Sequence, residues 1–146
     1  MLEFRKYVPE DYLKINRRKF DLVTFENFPD VEQVAKNLSR GYGYTGLADG
    51  EIVGLGGILP LWKGVGEAWV VSSPLVARYP LFFYRTIYWM LEELMEKMEL
   101  VRVQTTVHCK HERSIKWVEK MKFKNEGLMR KYIGGQDYYR YARVEE

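Results

Sequence analysis

The chain of 146 residues holds a single cysteine, Cys109, which excludes an internal disulfide. Only two histidines, His108 and His111, accompany it, and no recognised zinc-ligand spacing is present. The sequence therefore predicts no metal site and a buried or incidental thiol. No run of about 18 apolar residues and no signal peptide occurs, which predicts a soluble, cytoplasmic protein without a membrane partner. Low-complexity tracts, repeats and linkers are also lacking, so a single domain over residues 1–146 is expected. Charge of one sign is scarce as well, with a net of +3, although basic residues gather between Lys110 and Lys131. Such a cluster fits an anionic cofactor, a nucleic acid or a solvated face, so composition alone names no partner.

An apolar content of 47% with 29% charged residues is enough for one domain with its own core. LEFRKY alternates as a first strand, and Pro9-Glu10-Asp11 opens a helix with Tyr12, Ile15 and Lys19 along one side. Asp21 to Pro29 reads as a loop in which Phe25 and Phe28 serve as buried anchors or as a wall of a cleft. Asp30 and Gln33 have capping-box spacing before a helix over Val31 to Arg40, and Gly41 stops it. Asp49-Gly50 marks a tight hairpin turn, while Gly54, Gly56 and Gly57 in the next strand signal a bulge or a close backbone approach.

EAWVVSS is a further strand, followed by a helix over Pro80 to Met98 with Tyr84, Ile87, Leu91, Leu94, Met95 and Met98 on one side. VRVQTTV follows almost at once, so the two strands are expected to lie parallel. ERSIKWVEKM has apolar residues at helical spacing, KFKNEGLMRKY returns to extended character, and IGGQ breaks the chain before DYYRYARV. That order sets a helix N-terminus at the carboxyl end of a strand, where α/β proteins bind ligands.

From His111-to-Phe123 through Asn125-to-Tyr132 to Gly134-to-Val144, the chain resembles the C-terminal half of the GNAT superfamily of acetyl-CoA-dependent N-acetyltransferases. With the earlier elements in the same order, the resemblance extends over nearly the whole chain. It implies an α/β (α+β) fold, a central mixed twisted sheet of about six or seven strands flanked by about four helices. It also implies acetyl-CoA as co-substrate and an amine of a small molecule or protein as acyl acceptor. The pantetheine chain would pair with backbone amides near Val70 and Val71, and the loop carrying Arg78, Tyr79, Pro80 and Leu81 would take the pyrophosphate at a helix N-terminus. His111 and Ser114, at the start of the next helix, would lie near phosphate, and Glu67 would be the base that deprotonates the amine.

The chain departs from the family pattern at several of these positions. Where the family loop has two glycines, Tyr79 and Leu81 stand, narrowing the pyrophosphate cradle. Val118 occupies the position of the family's general-acid tyrosine, His111 replaces a helix-opening asparagine, and Lys122 replaces the glycine before Phe123. These departures support an alternative, a catalytically degenerate GNAT-fold structural or interaction protein, since the AWVVSS segment, glycine-poor loop and long helix resemble GNAT-like internal virion proteins of short-tailed bacteriophages. A third reading, nucleic-acid binding through Arg113, Lys116 and Lys120 with the tyrosines at 132, 138, 139 and 141, ranks below both. An exposed strand edge at Asp137 to Val144 would offer pairing for a homodimer.

Overall fold

In the computed structural model, which describes residues 1–146, seven strands form one mixed sheet. They are β1 (Leu2–Lys6), β2 (Tyr42–Ala48), β3 (Glu51–Trp62), β4 (Val65–Ser72), β5 (Arg102–His108), β6 (Lys124–Ile133) and β7 (Gln136–Val144). Five α-helices accompany them: α1 (Pro9–Lys14), α2 (Lys19–Asn27), α3 (Val31–Leu38), α4 (Pro80–Lys97) and α5 (Glu112–Lys120). The sheet order is β1-β2-β3-β4-β5-β7-β6, with all neighbours antiparallel except β4 and β5. The expected parallel pair is therefore present, joined through α4.

The Asp49-Gly50 turn has positive φ at both residues, 49° and 83°, the geometry that matches the twist of its strands. At α3, the Asp30 side chain accepts from the Gln33 backbone N–H, while the Gln33 side chain reaches forward to Asn37 instead of back to the cap. The three glycines of β3 answer to close approach. A Cβ at Gly54 would fall 2.2 Å from the Phe83 ring, and one at Gly56 would fall 2.7 Å from Ile87 Cδ1. Both contacts come from α4, which these missing side chains allow to settle onto the sheet. Beneath it Met90, Leu91, Leu94 and Met95 pack on Ile58, Val103, Val107 and Tyr141. The opposite face is covered by α1 and α3, where Tyr7, Tyr12, Ile15, Ala35 and Leu55 form a second core.

Three sequence expectations are corrected. The first helix ends at Lys14, and Lys19 opens a separate helix. Asp21 to Pro29 is mostly helical, because α2 runs through Asn27 with no apolar stripe of its own; its order comes from packing onto the sheet's end. Finally, Asp137 to Val144 is no free edge: β7 lies between β5 and β6, and β6 is the outer strand.

Candidate active site

β4 and β5 pair only over Val65–Glu67 and Arg102–Gln104. The Thr105 hydroxyl then donates to the Ala68 carbonyl at 2.9 Å, and beyond this tie the strands separate. A cavity of about 310 Å³ fills the resulting gap. Its walls include Glu67 to Ser72 of β4, Thr105 to His108 of β5, Phe20, Asp21 and Thr24 of α2, and Ser114, Trp117 and Val118 of α5.

Hydrogen bonds at the end of β4 fix which backbone groups face the gap. Ser73 N–H donates to Val53 of β3 at 2.9 Å, whereas Ser72 N–H donates to Asp21 Oδ2 at 3.1 Å and Ser72 O accepts from Arg18 N–H at 3.2 Å. By strand alternation Ala68 and Val70 turn their backbone groups the same way as Ser72, toward β5, and Trp69 and Val71 turn theirs to β3. Ala68 is used up there, its N–H by the last ladder bond to Gln104 and its carbonyl by Thr105, so Val70 faces the open gap. Side chains alternate too: Trp69 and Val71 join the core under α1 and α3, and Ala68 joins the one under α4 and α5.

The sequence candidates distribute unevenly. Glu67, Val70, Val71, His111 and Ser114 all line the cavity. Arg78, Tyr79, Pro80 and Leu81 do not. The chain between β4 and α4 forms a 3-10 turn over Pro74–Ala77 whose Ser73 N-cap accepts from Leu75 N–H, leaving Leu81 58% exposed. The Arg78 guanidinium lies over the Tyr79 ring, 5.5 Å from its centroid; the nearby Asp49 carboxyl is held below its ordinary value chiefly by the Met1 ammonium, to which Arg78 adds. His111, expected near phosphate, stacks on Phe20 with centroids 4.4 Å apart. Burial, aided by Arg18, lowers its pKa to about 4, so the ring is neutral at physiological pH.

Two carboxyl groups line the cavity. Glu67 stands where the strands part, and both of its oxygens are engaged. Gln104 Nε2 donates to Oε1 at 3.0 Å, and Arg140 Nη1 donates to Oε1 and Oε2 at 3.2 and 3.3 Å. Its pKa is raised, with burial outweighing Gln104 and Arg140. Asp21, in the first turn of α2, sits at the mouth. Its Oδ2 accepts from the Ser72 N–H and, at 3.2 Å, from the Ser72 hydroxyl, while Oδ1 makes no hydrogen bond. No guanidinium or ammonium lies within ion-pair distance, and burial pushes its pKa up to about 6. Sequence reasoning missed Asp21, because nothing local separates it from any other acid near a helix start.

Tyr138 of β7 also lines the cavity, buried, with no hydrogen-bond partner for its hydroxyl; burial raises its pKa and keeps it protonated. His108 beside it accepts from Lys110 N–H through Nδ1, which leaves Nε2 as the donor to Gln136. No group of three or more His, Cys, Asp or Glu side chains is arranged to hold a metal ion. No helix is long and apolar enough to cross a membrane.

No protein-family model matches the chain, and no curated protein is significantly similar in sequence. Solved structures do resemble it. Ard1 from Thermoplasma volcanium has a TM-score of 0.77 at 10% identity, covering 99% of this chain and 98% of that one. A GNAT-family acetyltransferase from Bacillus anthracis has a TM-score of 0.72 at 18% identity, covering 98% and 94%. An IAA acetyltransferase from Bacillus cereus has a TM-score of 0.71 at 12% identity, covering 99% of each. The fold is thus that of the GNAT acetyltransferases.

Proposed function

We propose that the protein is an N-acetyltransferase that moves the acetyl group of acetyl-CoA to a primary amine by direct attack. The observation that carries this reading is the gap between β4 and β5: parallel strands that part after three residue pairs, leaving the backbone groups of Val70 turned into a cavity. An extended thioester arm can pair there as a further strand would, and the Val70 N–H suits a carbonyl on which negative charge develops. Glu67 enters the reading as one of two carboxyl groups able to accept the amine's proton. Lining by Val70, Val71 and Ser114 supports their contact with the cofactor arm. The phosphates would meet the N-termini of α4 and α5, with Arg113, in the first turn of α5, the exposed cation that lines the cavity.

One observation favours a second reading, a GNAT-fold interaction or structural protein. The gap-facing backbone groups of Ser72 are already taken by Arg18 and Asp21, and the loop before α4 has bulky residues where the fold's enzymes have glycines. Calorimetric titration with acetyl-CoA decides between them. Micromolar binding, worth roughly 8 kcal/mol, together with a raised melting temperature is the expected result. No heat and no thermal shift at millimolar ligand would leave the interaction reading standing.

A further inference from the structure

We infer that Asp21, on the first turn of α2, is the proton acceptor for the attacking amine, and that Glu67 holds Arg140 in place. The inference rests on the acetyltransferase reading and assigns its central proton transfer. Geometry separates the two carboxyl groups. A base needs an oxygen free to meet the ammonium; Asp21 Oδ1 is free while Oδ2 is anchored to the Ser72 backbone N–H and hydroxyl. That anchor ties Asp21 to β4 itself, two residues from Val70, whose backbone faces the same gap. Glu67 has no free oxygen: Gln104 and the Arg140 guanidinium engage both.

The surroundings of Asp21 suit the role. The charged and titratable groups that face it are Arg17 and Arg18 from its own segment and Tyr138 from β7, with Cys109 next to that tyrosine. His108 and His111 pack on the ring of Phe20, the residue before Asp21. Neither arginine touches the carboxyl, so burial dominates and the group titrates near 6, where a carboxylate is both ionised at neutral pH and basic enough to accept a proton.

In the step itself Asp21 Oδ1 takes one proton from the ammonium, freeing the nitrogen lone pair. That pair forms the C–N bond at the thioester carbonyl as the C–S bond breaks, and sulfur leaves with the bonding electrons. A second nitrogen proton ends on the thiolate, giving amide and free thiol, and Asp21 returns its proton to water.

The test uses the full chain with acetyl-CoA and three amine probes, spermidine, L-lysine and a tetrapeptide with a free N-terminus, the fastest being carried forward. Asp21→Asn keeps an oxygen for Ser72 and should lower kcat about 100-fold, leave acetyl-CoA affinity unchanged and abolish the acid limb of the rate profile near pH 6. Glu67→Gln should cost less than about tenfold and keep that limb. A surviving acid limb in Asp21→Asn, or the larger loss in Glu67→Gln, overturns the assignment while leaving the enzyme reading intact. Loss of acetyl-CoA binding in the unmodified protein would instead remove the reading and the assignment together. Carboxyl-carbon NMR of the acetyl-CoA complex gives a readout that needs no acceptor: Asp21 titrating at an ordinary value for aspartate overturns the role.

Discussion

At the closed end of the gap the Glu67 carboxylate meets Gln104 and Arg140 through both oxygens; at the mouth the Asp21 carboxyl meets only the Ser72 N–H and hydroxyl, through one. Burial raises both pKa values, but at Glu67 a guanidinium and an amide oppose it, whereas at Asp21 two hydrogen bonds from Ser72 oppose it and no cation is in contact. The same residue chemistry in one cavity is thus set for structure at one end and for proton exchange at the other. Partner count, not burial alone, makes the difference.

Removing Glu67's cation should have the largest effect on folding. Arg140→Met leaves a partly buried carboxylate without its counter-ion and should cost about 2 kcal/mol by denaturant unfolding, less than a fully buried pair would because both side chains keep some solvent contact. The double variant with Glu67→Gln should recover most of that loss; no recovery would mean that Arg140 acts elsewhere and would break the comparison.

Next in size is a pH effect at the mouth. Because the folded-state pKa of Asp21 lies above its ordinary value of 3.8, the native protein holds this proton more tightly than the unfolded chain does. Stability should therefore fall as pH rises from about 4 to about 6, by on the order of 1–2 kcal/mol. Asp21→Asn should remove that slope and be the more stable form at pH 7, as read from melting curves across the range. A slope that persists in Asp21→Asn would assign it to another group.

The smallest expected effect is a control distant from both carboxyl groups. Lys122, just past α5, has φ of +74°, a conformation that glycine adopts without strain. Lys122→Gly should gain about 1 kcal/mol and leave the pH dependence of Asp21 and the Glu67–Arg140 coupling unchanged. A shift in either would show that the α5 wall, and not local contacts, sets the two carboxyl environments.

How much of this was legible in the sequence follows from the range of each signal. The Asp49-Gly50 turn, the apolar stripe of α4 and the short α4–β5 connection are local, and they yielded the hairpin, the long helix and the parallel strand pair. The unusual residue at 122 was visible too, although its left-handed backbone was not. The helix α2 was illegible because its order comes from seating on the end of β4 and on His111, not from an amphipathic pattern. The placement of β7 between β5 and β6 depends on pairing that no single segment encodes. Asp21 combines both difficulties: its chemistry exists only once α2 closes on Ser72. Glu67 was found because a strand-end glutamate stands out locally, but the Arg140 that engages it lies far along the chain.

The central claim is that the gap-facing backbone of β4 receives an acyl thioester. It is tested most directly by amide NMR of the protein with and without acetyl-CoA, following hydrogen exchange along β4. The account expects the Val70 amide to shift and gain protection on addition, with Ala68, already bonded to β5, and Trp69 and Val71, already bonded toward β3, gaining little. An unchanged Val70 amide at saturating acetyl-CoA, or shifts confined to the basic side of α5, would contradict it.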